Sequence, residues 1–598
     1  MTERPRGTAR ERLWTGALDH ALPFSAGLTA LVLVVMFYYP VGTVIARGLG
    51  GTVQGTGAVL GVLGSEFYLG AAAGFLTDPG AVLGGLRAWI QAGMPPVDFG
   101  LIGFTVYQAL LSTLASLALG LPGAYLLARY SFPGRKTLES LTMLPFVLPS
   151  IMVAVGFVAM FGDSGVLNDL LHVLGLGPIS AMYTLEIIVV AHAFYNAPLI
   201  TRIVGAAWAS LDRSMLETAR GLGASPTRAF LDVAVPQLLP AVMTGALLTF
   251  LFTFMSFPIV LALGGLQLAT VEVWLYSAVQ QLQLTQAAGL AVVETGITLA
   301  LTYAYLRYES GQRGLADVGR GPRRRPLVGS LRDPRRVGLL AYGLLAMVVF
   351  LGPLASMVVE SVTGPSGLTL EHYAFLLQRQ VSGATFQVKP LPAIVHSIGF
   401  GGATLLVALP MGVAVAVLEA KSFAGSRLLD ALLMAPLAVS GIVLGLGLLQ
   451  GLVLGTEILG HTVTVTGPVA IVAAHAVAAY PFVTRTVSPL LKRVDDRLVE
   501  SARVLGASRG RARRDVELPL IVPGIVAGAA LAFAISIGEF DSTVILAEGS
   551  GRYTMPVAVE QYLGDRTLGP ATAMGTVLLA VTAGSFVVID RVGGWWEP

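Results

Sequence analysis

"ETARGLGASPTRAFLDVAVP" occupies residues 217–236 and "ESARVLGASRGRARRDVELP" occupies 500–519, two charged, glycine-punctuated stretches 283 residues apart in an otherwise oily chain. Glu217 and Arg220, like Glu500 and Arg503, are spaced i to i+3, a pairing worth only about 0.2–0.5 kcal/mol on a helix surface. Ala219 and Gly223, and in the second copy Ala502 and Gly506, stand four apart on one helix face, where small side chains let another surface approach closely. Gly223 and Gly506 suit a helix end in a left-handed conformation. Ser225 followed by Pro226 reads as the cap and first residue of a new helix, with Ser508 in the equivalent place. Pro236 and Pro519 mark the return to apolar sequence. Each copy therefore predicts a helix, a turn and a second short helix with a notch of small residues.

The surroundings of this object follow from composition. Of 598 residues, 55% are hydrophobic and only 12% charged, and the mean hydropathy is +0.75. Soluble domains carry about a quarter of charged residues, so the bilayer is the expected solvent. Apolar stretches of the roughly 20 residues needed to cross hydrocarbon fall near 24–47, 101–129, 138–161, 182–204, 236–265 and 286–306, then near 338–361, 392–419, 428–453, 466–490, 519–547 and 568–590. The expected fold is an all-α membrane protein of two tandem homologous halves, about six spans each and about 12 in total. In this division 1–23 is a tail, 24–306 the first half with its loop at 205–235, 307–337 a basic linker, and 338–598 the second half with its loop at 491–518.

The repeat is wider than the opening stretch. "AHAFYNAPLITR" (191–202) aligns at the same offset with "AHAVAAYPFVTR" (474–485), and "LPFVLPSIMVAVGF" (144–157) resembles "APLAVSGIVLGLGL" (435–448) at an offset changed by eight. The tail carries Arg4, Arg6, Arg10 and Arg12, and 307–336 holds nine arginines against Glu309, Asp317 and Asp333. Flanking positive charge favours the cytoplasmic side, and six spans put tail and linker on the same face. Both loops then face the cytoplasm, related by a pseudo-two-fold axis along the membrane normal. The segment 51–93 is expected as a large external loop, because a span there would put the linker on the wrong side. The first apolar run is too long for a signal-peptide core and is expected to stay as an anchor.

Catalytic chemistry is missing. There is no cysteine, and the only lysines, Lys136, Lys389, Lys421 and Lys492, follow Arg135, Val388, Ala420 and Leu491, so no Gly-Lys phosphate loop exists. His461 and His475 are too isolated for a metal cage; no catalytic residues, metal ligands or nucleic-acid partner are expected. Polar groups within spans are costly and invite a functional reading: Gln108, Glu186, His192, Asn196, Glu294, His475, Glu539 and Asp541. Each has an ordinary alternative as an interhelical hydrogen bond or an interfacial position. Tyr107, Phe194, Tyr195 and Phe540 could stack on a ring, or simply pack.

At this point the residues resemble a known pattern. The E-A-A, three residues, G, nine residues, I-x-L-P signature of ABC importer permeases is met by Glu217, Ala219, Gly223, Val233, Val235 and Pro236, and again by Glu500, Ala502, Gly506, Val516, Leu518 and Pro519. Thr218 and Ser501 replace the first alanine and valine the isoleucine. The stretches "FTFMSFPIVLALGGLQLATVEVWLYSAV" (252–279), "SIGEFDSTVILAEGSGRYTMPVAVEQYLG" (536–564) and "YSFPGR" (130–135) resemble the fused two-half permeases of thiamine and ferric-iron importers, thiamine-type favoured. Molybdate and sulfate permeases carry segments similar to "SIGEF". The resemblance implies a binding-protein-dependent importer of type I in a prokaryotic cell membrane. A cytoplasmic ABC ATPase in two copies would hold ATP and Mg and grip the loops, with no cofactor in this chain, and an external substrate-binding protein would deliver cargo. It makes Glu217, Ala219, Gly223, Pro236, Glu500, Ala502, Gly506 and Pro519 the ATPase-coupling residues, and Tyr107, Asn196, Glu539 and Asp541 candidates for the substrate pathway. The rival is a proton- or ion-coupled secondary transporter built from parallel repeats, in which the two loops have no task.

Overall fold

The computed structural model describes residues 24–53, 55–70, 99–136, 138–139, 148–211, 213–312, 325–326, 334–378, 388–420, 426–458, 460–548, 551–564 and 568–594. Among them, 11 helices are long and apolar enough to cross a membrane, or up to 12 if one bent pair is a single span. Helices dominate because every backbone polar group in hydrocarbon must be satisfied within its own segment. The chain is an all-α membrane protein of two like halves.

Three long helices form the centre of each half. In the first, Leu185–Ala209 packs along Gly100–Arg129, and Val235–Phe254 packs against both; in the second, Gly467–Leu491 lies between Pro390–Glu419 and Leu518–Gly538. One close crossing uses the same register in both halves. A Cβ on Gly120 would lie 2.8 Å from the Ala197 carbonyl oxygen, and one on Gly412 would lie 2.9 Å from that of Tyr480. Beside each, a threonine hydroxyl donates across the crossing, Thr201 to Gly120 O at 3.0 Å and Thr484 to Gly412 O at 3.1 Å. Lipid tails are as apolar as leucine, so helices associate by close packing and such bonds.

Four of the expected spans differ in detail. The stretch 428–453 is two helices, Leu428–Ala438 and Gly441–Val453, bent by 93°. Carbonyl oxygens near the break accept from side chains: Tyr38 Oη donates to Leu432 O at 2.5 Å, and the Tyr480 hydroxyl donates to Leu433 O. The runs 236–265 and 519–547 are not continuous either. Val235–Phe254 ends before a second helix, Pro258–Gly264, whose first residue is a proline without an N–H to lose. Leu518–Gly538 ends before Asp541–Glu548. Of 138–161, the stretch 140–147 lies outside the described residues, and the helix described is Ser150–Phe161.

Of the segment 51–93, residues 51–53 and 55–70 are described: a two-strand hairpin and the short helices Ala58–Leu63 and Glu66–Leu69. These lie on the first half, with Gln286 Nε2 donating to Tyr68 Oη at 2.5 Å and Phe67 over Trp274 at 4.6 Å.

The chain divides into two compact units that do not follow its halves. One gathers the described residues of 1–46, 377–558 and 577–598, the other those of 47–376 and 559–576. Within the first unit, Leu33, Phe37 and Val41 of the N-terminal helix join the core of Met411, Leu444, Leu448, Tyr480 and Val483. Within the second, helix Pro334–Ser361 packs on Ser150–Phe161. Each unit thus takes a helix from the other half of the sequence. The contact is again the same twice: a Cβ on Gly447 would lie 2.8 Å from Pro40 O, and one on Gly156 would lie 2.9 Å from Pro353 O.

Candidate functional site

The two charged stretches fold alike. Helix Arg213–Gly221 is followed by a turn and the short helix Pro226–Ala229; helix Asp496–Val504 is followed by the same turn and Arg509–Ala512. Gly223 has φ +93° and Gly506 φ +95°, the left-handed region open to glycine. In the first copy Gly223 N donates to Arg220 O at 3.1 Å and Ala224 N to Ala219 O at 3.0 Å; in the second Gly506 N donates to Arg503 O and Ala507 N to Ala502 O, both at 3.0 Å. This pair of bonds satisfies the last carbonyls of the helix. Ser225 Oγ then accepts from Arg228 N at 3.2 Å, and Ser508 Oγ from Arg511 N at 3.3 Å, which caps the next helix.

The surface so built is open. Glu217 and Glu500 are exposed, Ala219 and Ala502 half-buried, and, chain neighbours aside, no atom of the described residues lies within 4 Å of a Cβ placed on Gly223 or Gly506. Pro236 and Pro519 are exposed at the start of Val235–Phe254 and Leu518–Gly538. Beside the glycines, Leu222 is 85% exposed and Leu505 88%. Sequence reading passed over them, and over two ion pairs that repeat at the same offset: Arg228–Asp232 at 3.5 Å and Arg511–Asp515 at 3.4 Å. Exposed pairs of this kind add little stability.

A second pair of equivalent places lies inside the bundles. His192 and His475, offset by 283, are both buried. In the first half, His192 Nδ1 lies 2.7 Å from Gln108 Nε2 and 3.3 Å from Ser112 Oγ, and Nε2 lies 2.9 Å from Ser256 Oγ. In the second, His475 Nδ1 lies 2.8 Å from Ser536 Oγ, and Nε2 lies 2.8 Å from Thr543 Oγ1 and 3.1 Å from Glu539 Oε2. Ser536 Oγ donates on to Thr404 Oγ1 at 3.1 Å. Ser256 and Glu539 occupy the same register, where the long helix ends and the short one begins.

Glu539 and Asp541, two residues apart, differ in situation. The Glu539 carboxylate accepts from Ser542 N at 2.9 Å, Thr543 N at 3.2 Å and Thr543 Oγ1 at 2.5 Å. Asp541 is half-buried, faces Gly441, and has no hydrogen-bond partner among the described residues; a Cβ on Gly441 would lie 2.6 Å from Asp541 Cβ. Tyr107 is 41% exposed and stacks on Phe99 at 5.8 Å. Asn196 is buried, its Nδ2 donating to His192 O at 3.1 Å, while its Oδ1 and Gln108 Oε1 lack a partner among the described residues. Phe194 and Phe540 are buried; Phe194 packs edge-on to Phe157 at 5.5 Å. Glu294 is also buried, whereas Glu186 is exposed in the first turn of its helix.

Residues 120–307 and 408–596 each match the family described as binding-protein-dependent transport system inner membrane component. The chain is 26% identical over 494 residues to a thiamine transport system permease protein ThiP of Brucella suis biovar 1 (strain 1330), covering 82% of this chain and 86% of that one. It is 25% identical over 525 residues to ThiP of Escherichia coli (strain K12), covering 85% and 91%. A putative 2-aminoethylphosphonate transport system permease protein PhnU of Salmonella choleraesuis (strain SC-B67) is 27% identical over 282 residues, covering 46% of this chain and 89% of its own. Two family copies in one polypeptide, joined as a single multi-pass membrane protein, establish that the chain belongs to the binding-protein-dependent inner membrane components as a fused, two-half ABC importer permease.

Proposed function

We propose that this permease takes a small organic cation of thiamine type, in preference to ferric iron, from an external binding protein, and that two copies of a separate cytoplasmic ATPase drive it through the loops at 205–235 and 491–518. The observation that carries the coupling reading is the duplicate geometry: two loops with the same left-handed glycine, the same serine cap and the same bare leucine beside an open notch. In this reading Glu217, Ala219, Gly223 and Pro236, with Glu500, Ala502, Gly506 and Pro519, form the two surfaces that the ATPases grip. ATP and Mg belong to the partner, and the N-terminus and the linker lie on the cytoplasmic face with the loops.

The cargo assignment draws support from relatives named as thiamine permeases that align over most of the chain, and from Asp541. A half-buried carboxylate without a hydrogen-bond partner suits a cationic cargo, since charge buried away from water needs an opposite charge. Tyr107 offers an exposed ring for a heteroaromatic cargo. Asn196 and Glu539, the other two candidates, are engaged with neighbouring side chains and backbone. Binding of the ATPases shifts the permease between its states only as far as they prefer one of them.

The test is a tagged pull-down of the full chain from its native membrane in mild detergent, followed by mass spectrometry. Recovery of one ATPase at two copies per chain, and a thermal shift of the associated binding protein with thiamine but not ferric iron, is the expected result. Recovery of no ATPase, repeated after crosslinking at Glu217 and Glu500, sinks the coupling reading. A shift with ferric iron alone reassigns the cargo.

A further inference from the structure

The two halves are alike at their buried histidines except at one register. In the first half the break between Val235–Phe254 and Pro258–Gly264 is followed by Pro258 in the first turn of the short helix, and among the described residues Ser256 gives the neighbouring helix a single side-chain hydrogen bond, to His192. In the second half the positions equivalent to Ser256 and Pro258 are Glu539 and Asp541. The Glu539 carboxylate closes the first turn of Asp541–Glu548 through two backbone amides and the Thr543 hydroxyl, and the same carboxylate meets His475 of Gly467–Leu491. The Glu539 side chain is 11% exposed and that of His475 1%. Three helices therefore meet at one side chain: the long helix that begins at the second charged loop, the short helix after the bend, and the central helix. A proline fixes its own backbone and ties nothing else.

We infer that Glu539 is a positioning residue, a tie that makes the bend of the second half follow its central helix, and that the first half, with Ser256 in its place, moves at its bend more freely. The carboxylate is filled by protein donors and does not contact cargo; that task is left to Asp541. The tie lies at the far end of Leu518–Gly538, the helix that follows the second charged loop, so it converts displacement of the 491–518 loop into displacement of the short helix. The inference rests on the importer reading above, and the two halves of the transporter become mechanically unequal.

The test compares Glu539→Ser, which installs the first half's residue, with Ser256→Ala and the milder Glu539→Gln, all in the full chain assembled with its co-purified ATPase in proteoliposomes. For Glu539→Ser we expect cargo moved per ATP hydrolysed to fall about fivefold or more, with the half-saturating concentration of loaded binding protein unchanged. Ser256→Ala should cause a smaller fall, and Glu539→Gln an intermediate one. A raised half-saturating concentration at an unchanged maximal rate would make Glu539 a cargo contact and overturn the proposal, as would equal losses in Glu539→Ser and Ser256→Ala. Hydrogen exchange on the purified chain judges the tie without cargo or ATPase, so a failure of the importer reading is seen separately. Glu539→Ser should speed exchange both at 541–548 and around His475. Loss confined to 541–548 would reduce Glu539 to a local cap and overturn the proposal.

Discussion

Gly223 and Gly506 stand at φ +93° and +95° with no atom of the described residues beyond their chain neighbours within 4 Å of a would-be Cβ, so backbone strain and steric effect can be separated there. A valine at either position costs about 1–2 kcal/mol of left-handed strain, and its Cβ meets no neighbour among the described residues. We expect Gly223→Val and Gly506→Val to insert and purify normally, with a thermal midpoint lowered by a few degrees, yet to lose ATP-driven uptake because the side chain occupies the notch. Normal uptake by both variants would remove the notch from the coupling surface. Asp541 allows a second test at this scale. A charged contact to a cationic cargo is worth about 1.5–3 kcal/mol, so Asp541→Asn should raise the KM for the cation by roughly 10- to 100-fold with little change in maximal rate. Gly441→Ala, which pushes a methyl toward Asp541 Cβ, should act in the same direction. An unchanged KM in Asp541→Asn takes this carboxylate off the cargo path.

Helices made the sequence legible, and their breaks did not. Apolar length marks a span on its own, so the positions and number of most helices were readable, as was the repeat, because Glu217, Ala219, Gly223 and Pro236 recur at one offset. Hydropathy continues through residues 255–257, and in the second half only Glu539 and Asp541 interrupt it, so neither stop is marked by a loss of apolar length; what starts the next helix is Pro258 in one half and the Glu539 side chain in the other. Glu539 and Asp541 look alike in sequence because only the fold decides which carboxylate is filled by donors. The packing partner of a uniformly apolar helix is equally hidden, yet it leaves a trace in glycine. Gly156 and Gly447 lie against Pro353 O and Pro40 O, and a larger side chain must push backbone aside. We expect Gly156→Val and Gly447→Val each to destabilise the chain by about 1–3 kcal/mol, read as an earlier loss of the monodisperse peak on heating in detergent. Gly296→Ala, in a helix position with no atom of another described element within 4 Å of the new methyl, should cost nothing. Equal behaviour of all three would mean that these contacts carry no packing constraint.

For the whole molecule, fusion of the two halves has a consequence beyond holding them at equal number. Each compact unit contains a helix from the other half: the N-terminal helix packs with Leu444 and Tyr480 in one, and Pro334–Ser361 packs on Ser150–Phe161 in the other. Hydrogen bonds accompany both placements, Tyr38 Oη to Leu432 O at 2.5 Å and Tyr342 Oη to Leu119 O at 2.6 Å. Between helices in lipid, close packing and bonds of this kind supply the association energy, so the covalent linker is not needed to keep the halves together. A chain divided into residues 1–320 and 321–598 and co-expressed should therefore copurify through a tag on either fragment and retain ATP-driven uptake. Expressed alone, each fragment would leave one unit without its exchanged helix, exposing Gly156 or Gly447 and its neighbours, and should accumulate poorly. Introducing Gly156→Val and Gly447→Val together into the divided chain should abolish copurification while leaving it intact for Gly296→Ala. Copurification that survives the double valine variant would shift the association to other surfaces, and failure of the unmodified fragments to copurify would show that the linker, and not the exchanged helices, joins the two halves.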